Sequence, residues 1–401
     1  MTVRIYDTAQ RAVVPFEVGP TVSMYVCGIT PYDSTHVGHA ATYLTYDVLI
    51  RRLEELGHAV RMVRNVTDVD DSILPKAREL GVPFLELADS EMARFRADME
   101  ALEMRPPVAE PRATESIDGM IDMVATLLDR GHAYVTHGTV YFDVSTFPRY
   151  GELSHFPRDS MVRLARKRGG NPDDPHRRDP LDFVLWQPSL PDEPAWRAPF
   201  GVGRPGWHVE CSVMAMAELG TTIDLHGGGT DLVFPHHECE IAQSESVTGE
   251  LFCRHWVHSA MVSYEGEKMS KSLGNLVFVS DLLERADPRA IRLALIRHHY
   301  RAGFEWYETD IDEGSALLHR LCAAAERPDG VDPRPFAARV RAAIDDDLDT
   351  PGALEALDDL ASAILSSGGG SGSGDSSAPV VLRELGALVG VDLARPISAG
   401  R

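Results

Sequence analysis

Cysteine and long apolar runs are both scarce in this 401-residue sequence. Five cysteines are too few for a disulfide framework in a chain of this length. We therefore expect a reducing, cytoplasmic setting in which thiols bind metal or fill the core. No apolar run reaches about 18 residues, so we expect no membrane span. The first residues also lack the apolar stretch of a secretory signal.

Basic residues are also few relative to acidic ones. The 39 lysines and arginines stand against 61 acidic residues, which gives a formal net charge of −22. Nucleic-acid-binding proteins usually carry a basic surface that neutralises phosphates. The balance is a weak argument against a large nucleic-acid partner, because acidic surfaces also aid solubility and a local basic stripe can still bind tRNA.

The first 110 residues alternate strand and helix signals. Residues 23–27 predict a buried strand that ends at Gly28, and residues 46–56 carry a helical apolar face. Residues 59–66 predict the next strand. Strand, helix and strand in this order predict an α/β fold with a parallel sheet and a right-handed crossover.

Composition changes along the chain predict its domain organisation. Residues 116–205 are dense in proline, glycine and arginine, which indicates an insertion into the sheet domain. The predicted division is a first catalytic half at 1–115, a connective insertion at 116–205, a second catalytic half at 206–275 and a helical region at 276–401.

The last region carries its own local signals. Thr350 is the predicted N-cap of a helix with Pro351 at its first position. Residues 366–377 are almost all glycine and serine, which predicts a flexible loop. Residues 380–388 predict a final short helix.

Two short segments suggest a nucleotide site. His36-Val37-Gly38-His39 follows a predicted strand and precedes a helix, whose N-terminal N–H groups and dipole suit phosphate oxygens. Alone, this segment is weak evidence, since a surface turn would look the same. Lys268-Met269-Ser270-Lys271-Ser272 is more specific, because two lysines in a small-residue loop can neutralise the departing pyrophosphate.

Together these segments resemble the HIGH and KMSKS signatures of class I aminoacyl-tRNA synthetases. The resemblance implies a Rossmann-like parallel sheet with an inserted connective domain and a C-terminal helical domain. It also implies ATP, with Mg²⁺, as a substrate. The residues that would assist attack of a carboxylate on the α-phosphorus are His36, His39, Lys268 and Lys271.

A second group of residues suggests a metal site. Zinc binds thiolate, imidazole and carboxylate, and Cys27, Cys211, His236 and Glu240 are the candidates. The spacing of His236 and Glu240 puts both on one helix face. Neither cysteine belongs to a CxxC pair, so a buried core cysteine is the alternative. We expect Cys239, Cys253 and Cys322 to be buried core cysteines of this kind.

The segments around these candidates, 206–212 and 227–238, resemble cysteinyl-tRNA synthetase. In that family zinc binds the thiolate of the substrate, and a soft thiolate binds zinc far better than the hydroxyl of serine. The resemblance implies a cysteinyl-AMP pocket. Its residues would be Cys27, Gly28, Ile29, Thr30, Thr42, Asn65, Val66, Thr67, Trp207, Gly229, Thr230, Asp231 and Val262.

Other segments resemble the mycothiol cysteine ligases, which transfer cysteine from cysteinyl-AMP to the amine of glucosaminyl-inositol. They are residues 27–45, 167–172 and 346–351, and the chain stops near residue 400, where a synthetase would continue into an anticodon-binding domain. Glu240 and residues 178–183 are instead synthetase-like.

We therefore expect an ATP-dependent cysteine ligase whose substrates are L-cysteine, ATP and an amino sugar. We expect no membrane association and no tRNA partner. Three alternatives stay open: a cysteinyl-tRNA synthetase, a truncated paralogue that uses another amine, and a non-catalytic module that binds cysteine or nucleotide.

Overall fold

The structure is a computed structural model that describes residues 2–32, 35–269, 274–367, 374–398 and 400, without the side chain of Lys268. Its strands are β1 (Arg4–Asp7), β2 (Ala12–Pro15), β3 (Thr21–Ile29), β4 (Ala59–Val66), β5 (Ala133–Thr136), β6 (Thr139–Phe142), β7 (Phe183–Gln187), β8 (Trp196–Ala198), β9 (Gly201–Pro205), β10 (Ile223–Gly229), β11 (Cys253–Ser259), β12 (Val262–Tyr264), β13 (Glu267–Lys268) and β14 (Phe304–Glu305).

The α-helices follow the same chain order. They are α1 (Val37–Glu55), α2 (Ile73–Leu80), α3 (Phe84–Ala101), α4 (Ile117–Asp129), α5 (Arg158–Lys167), α6 (Trp207–Leu219), α7 (Glu238–Thr248), α8 (Val279–Leu283), α9 (Pro288–Ile296), α10 (Thr309–Ala325), α11 (Arg334–Asp345), α12 (Thr350–Ser366) and α13 (Ala378–Leu388). In the part of the chain that the structure describes, none of these helices is long and apolar enough to cross a membrane.

A four-stranded sheet in the order β11-β10-β3-β4 forms the centre of the fold, and each neighbouring pair is parallel. Parallel strands buried on both faces are mostly apolar, as β3 is from Met24 to Cys27. Met24 and Val26 pack with α1 on one face, while Tyr25 and Cys27 face the other. The predicted α/β class with a parallel sheet is confirmed, and the alternation turns Cys27 towards α6 and α7.

Helix α1 starts earlier than its apolar pattern predicted. It begins at Val37 instead of Tyr46, because the His36 side chain accepts a hydrogen bond from the Gly38 N–H at 3.1 Å and caps the helix. The predicted strand at 59–66 is β4, with the same limits. Strand β3 is longer than predicted at both ends.

A separate five-stranded antiparallel sheet, in the order β5-β6-β7-β9-β8, lies between the two parts of the central sheet along the chain. Helix α5 lies between β6 and β7 in the sequence and packs against the turn Val233–His237. Gly169, just after α5, has a φ of +88°, which favours glycine at this turn. The turn directs the following residues towards the central sheet.

The C-terminal region is mainly helical, as predicted, with two corrections at its helix ends. The N-cap of α12 is Asp349 and not Thr350, because the Asp349 side chain accepts a hydrogen bond from the Gly352 N–H at 3.0 Å. Helix α13 begins at Ala378, two residues before the predicted start. Of the predicted glycine–serine loop, residues 368–373 lie outside the described part of the chain.

Candidate active site

Four side chains from separate elements meet at the end of β3. Cys27 belongs to β3, Cys211 to α6, His236 to the turn before α7 and Glu240 to α7. One ligand atom from each lies within 4.8 Å of all the others. All four residues are buried, the most exposed being Cys27 at 6%. The structure therefore brings together every metal ligand that the sequence predicted.

The distances within this group suit a tetrahedral metal site. The two sulfurs lie 4.0 Å apart, close to the separation of about 3.8 Å that two Zn–S bonds of about 2.3 Å would give. His236 Nε2 lies 3.4 Å from Cys211 Sγ and 3.1 Å from Glu240 Oε1. Two sulfurs, a nitrogen and a carboxylate oxygen are a donor set that could hold a metal ion.

The local geometry of His236 differs from the sequence prediction. His236 lies in a π-helical turn, Val233–His237, in which Phe234 has extended dihedral angles of −141° and 135°. Helix α7 begins only at Glu238, so His236 and Glu240 do not share one regular helix face. The turn nevertheless places the His236 side chain beside Cys211, and the first turn of α7 places Glu240 beside Cys27.

A second group of ligands overlaps the first. Cys27, His226, His237 and Glu240 also place their ligand atoms within 4.8 Å of one another. His226 Nε2 lies 2.9 Å from Glu240 Oε2, and His237 Nε2 lies 3.3 Å from Cys27 Sγ. Sequence reasoning missed these histidines. His226 lies inside the buried strand β10, where a histidine among apolar residues was a usable signal, whereas His237 ends the turn before α7 and carried none.

Further aromatic residues hold His236 in place. His208 Nδ1 lies 2.9 Å from His236 Nδ1, which leaves Nε2 facing the cysteine and the carboxylate. The Trp207 ring stacks on the His236 ring with centroids 4.2 Å apart. Burial lowers the pKa of His236 well below its usual value and lowers that of His208 to about 3. Both imidazoles are therefore neutral near pH 7, the form that binds metals.

Burial acts in the opposite direction on the acidic ligands. It raises the pKa of Cys27 well above its usual value, with Cys211 adding to the rise. It also raises the pKa of the Glu240 carboxyl. A cation at this position would favour both ionised forms, so metal binding here would release protons.

The structure describes the whole of the first nucleotide segment but only the start of the second. His36 and His39 lie at the start of α1, with their rings stacked at a centroid distance of 3.8 Å. The Lys268 backbone belongs to β13 and pairs with Ser263 of β12. Lys271 lies outside the described residues.

A cavity of about 730 Å³ opens beside the metal-ligand group. Five residues of the predicted cysteinyl-AMP pocket line it, together with His39 of the nucleotide segment; the five are Gly28, Ile29, Thr30, Trp207 and Asp231. Asn65 supports the wall from behind, because its Oδ1 accepts a hydrogen bond from the Gly28 N–H at 2.7 Å. The Thr42 hydroxyl instead donates to the Gly38 carbonyl of its own helix.

The remaining predicted pocket residues lie at neighbouring strand ends. The Thr67 N–H donates to the Ile29 carbonyl, and the Thr230 N–H donates to the Ser259 carbonyl. The lining of the cavity, as far as the described residues show, does not include Val66, Thr67, Gly229, Thr230 or Val262. Their part in binding stays a prediction.

Comparisons with solved structures show the fold. Methionyl-tRNA synthetase of Mycobacterium tuberculosis, in complex with methionyl-adenylate, superposes with a TM-score of 0.65 at 17% identity, over 92% of this chain and 89% of that one. Arginyl-tRNA synthetase of Thermus thermophilus superposes with a TM-score of 0.56 at 13% identity, over 94% of this chain and 82% of that one.

Sequence comparisons are more specific. The family model described as tRNA synthetases class I (C) catalytic domain matches residues 14–316. A Parafrankia sp. protein named L-cysteine:1D-myo-inositol 2-amino-2-deoxy-alpha-D-glucopyranoside ligase is 49% identical, over 99% of this chain and 90% of that protein. Proteins of the same name from Thermobispora bispora and Mycolicibacterium smegmatis are each 48% identical, over 98% and 97% of this chain and 96% and 95% of their own lengths. The chain therefore belongs to the class I tRNA synthetase (C) family and, within it, to these L-cysteine ligases.

Proposed function

We propose that this protein is an AMP-forming ligase that adenylates L-cysteine and transfers it to the amine of 1D-myo-inositol 2-amino-2-deoxy-α-D-glucopyranoside. The observation that carries the proposal is the 48–49% identity, over nearly the whole chain, to proteins named for that reaction. The reaction belongs to mycothiol biosynthesis, releases AMP and pyrophosphate, and takes place in the cytoplasm. It involves no tRNA.

Zinc is the metal that the buried donor group fits best. Cys27 and Cys211 would supply two thiolates, which favour zinc over the hard cations, and His236 and Glu240 would supply the nitrogen and oxygen donors, with the substrate thiolate as an added ligand. When bound, zinc supplies a soft Lewis acid for the substrate thiolate, and this selects cysteine over serine. Because the selection rests on a metal–sulfur bond, no editing site is needed.

The chain's own residues would position the reacting groups. His39, in the first turn of α1, lines the cavity, and the N-terminus of this helix, with His36 as its cap, would suit the α-phosphate of ATP. Lys268 and Lys271, with Mg²⁺, would neutralise the β- and γ-phosphates as pyrophosphate leaves. Thr30, Trp207 and Asp231 would line the cysteinyl-AMP pocket, with the other pocket residues predicted from the sequence around them.

A two-stage assay tests this function. The protein is first incubated with ATP, labelled pyrophosphate and either cysteine or serine. We expect cysteine-dependent exchange and little with serine. Glucosaminyl-inositol or tRNA is then added, and AMP release and product mass are recorded. Exchange that is equal with serine, or faster cysteinylation of tRNA than of the amino sugar, would contradict the proposal.

A further inference from the structure

The cavity is larger than the predicted cysteinyl-AMP residues account for. Beyond Gly28, Thr30 and His39 it continues between two walls that the adenylate does not explain. One wall is the turn 70–72 before α2. The other is the segment 168–174 after α5, of which residues 168–171 and Asp174 line the cavity and Asp173 does not, together with Tyr141 of β6. A second substrate that attacks the acyl group can reach it only through open space of this kind.

The extra walls carry several carboxylate and amide groups that accept hydrogen bonds, beside the guanidinium groups of Arg168 and Arg177. Asp70, Asn171 and Asp174 all line the cavity. Asp174 accepts a hydrogen bond from the Tyr141 hydroxyl at 2.6 Å, so its carboxylate has a fixed position. Carboxylate and amide oxygens suit a ligand with an ammonium group and several hydroxyls.

Asp70 lies beside the strand that carries the first metal ligand. Its Oδ2 accepts a hydrogen bond from the Thr30 hydroxyl at 3.0 Å, and its Oδ1 accepts from the Ser72 and Ile73 N–H groups at 2.8 and 2.9 Å. Thr30 follows β3 and lines the same cavity. These bonds fix the carboxylate at the junction between the adenylate pocket and the extra space.

The segment opposite is tied to the metal-ligand turn. The Arg168 guanidinium donates a hydrogen bond to the Phe234 carbonyl, two residues before His236. Gly170 packs closely on α5, since a side chain there would meet the Ala165 carbonyl oxygen at 3.0 Å. The segment therefore has a defined position relative to the predicted adenylate site.

We propose that the space between Asp70 and the segment 168–174 is the acceptor site, in which Asp70 binds the ammonium of a polyhydroxylated amine and takes up one of its protons. Asn171 and Asp174 bind hydroxyl groups of the same molecule. This inference rests on the proposed function and adds the residues that receive the second substrate. Burial raises the pKa of Asp70 above its usual value, which makes the carboxylate a better proton acceptor.

The transfer step balances as follows. The ammonium gives one proton to Asp70, and the neutral nitrogen attacks the carbonyl carbon of cysteinyl-AMP. A C–N bond forms and the bond from that carbon to the phosphate oxygen breaks, so AMP leaves with the electron pair. The nitrogen loses its second proton to water, and Asp70 returns its proton to solvent.

Half-reactions separate this role from a structural one. Asp70→Asn keeps an oxygen for the Ser72 and Ile73 N–H groups but removes the base. We expect acceptor-dependent AMP release, with glucosaminyl-inositol as the probe, to fall about 100-fold more than cysteine-dependent pyrophosphate exchange. Equal losses in the two half-reactions would show that Asp70 acts only through Thr30 and would overturn its assignment.

A matched pair of variants tests the segment 168–174. Asp174→Asn should raise the KM for the amino sugar about tenfold, since it alters a group that faces the cavity. Asp173→Asn is the control, because Asp173 pairs with Arg166 and is exposed. The same KM in both variants would overturn the acceptor site. If the wild-type protein exchanges pyrophosphate but transfers nothing to the amino sugar, the proposed acceptor is wrong and the inference falls with it.

Discussion

Gly28 shows how a single residue sets the shape of the site. Its Cα lies so close to β4 that an added Cβ would fall 1.7 Å from the Asn65 carbonyl oxygen. Backbone conformation is not the reason, since Gly28 is not among the residues with positive φ. The constraint is space, next to Cys27 and at the wall of the cavity.

Gly28→Ala should therefore lower the free energy of unfolding by about 1–3 kcal/mol, because the clash involves backbone that cannot move freely. Urea unfolding followed by circular dichroism measures this. Gly19→Ala is the matched control, since its Cβ would lie 3.9 Å from the Thr21 carbonyl oxygen. Equal stability of the two variants would contradict the steric argument.

The two overlapping ligand groups lead us to expect different zinc contents in single-residue variants. We expect Cys211→Ala to lose bound zinc and cysteine activation together, because it removes one of two thiolates. His226→Gln belongs to the alternative group and should keep zinc near one ion per chain. Metal analysis of the purified variants measures both. Zinc retained without Cys211 and lost without the His226 imidazole would favour the alternative group.

At the scale of elements, Asp287 joins a helix to the C-terminal segment. It caps α9 by accepting from the Arg289 N–H at 2.9 Å, and it forms a buried ion pair with the Arg289 side chain. Its Oδ2 also accepts from the Ser398 N–H at 2.9 Å. Burial alone would raise the pKa of Asp287, but Arg289 and Ser398 together lower it to about 2.

Asp287→Asn keeps the cap and removes the charge, so it should cost about 3 kcal/mol at pH 7 by leaving Arg289 without its counter-charge. A carboxyl with a lowered folded-state pKa adds stability above its unfolded pKa of about 3.9 and loses it as the pH falls through the folded value. The difference in the free energy of unfolding between the wild-type protein and Asp287→Asn should therefore shrink as the pH falls from 4 to 2, and urea unfolding measures it.

Asp332 provides the control for this pH dependence. Its carboxylate pairs with Arg334, which lowers the pKa of Asp332 to about 2 as well, but the pair is exposed to solvent. Water screens such a pair, so Asp332→Asn should change stability little at any pH. A loss as large as that of Asp287→Asn would contradict the importance of burial.

At the scale of the whole molecule, the metal-ligand group connects distant parts of the chain. Cys27, Cys211 and His236 lie on different elements and are brought together only by the folded sheet. A metal that binds only the folded state stabilises it by about 2.7 kcal/mol at a hundredfold excess over its Kd.

Removal of the metal by a chelator should therefore lower the Tm by about 3 °C, given the entropy of unfolding of a chain of this size. Differential scanning calorimetry with and without added zinc measures the shift. Cys211→Ala should show no response to the chelator. A Tm that is the same in all samples would contradict a metal that bridges these elements.

Part of the site was predictable because it consists of short patterns. The segment His36 to His39 was predicted to precede a helix, but the start of α1 at Val37 was missed because a histidine cap carries no apolar signal. The Thr350 cap was wrong by one residue, since Asp349 and Thr350 are both good caps and only the backbone geometry separates them. Boundaries depend on such local competition.

By itself the sequence determined the α/β class from residue type and periodicity, and it indicated the nucleotide segments and the four metal candidates, of which Cys27 and Cys211 rested on the resemblance to a known family and not on spacing. Tertiary structure alone decided that His226 and His237 join the same group and that Asp70 lines one cavity together with residues of the segment 168–174. Asp70 follows β4 and His226 lies in β10, two parallel strands whose carboxyl ends lie at the same edge of the sheet, whereas the segment 168–174 follows α5, which packs on the turn Val233–His237. Local periodicity carries no information about this arrangement, since it depends on which strands pair.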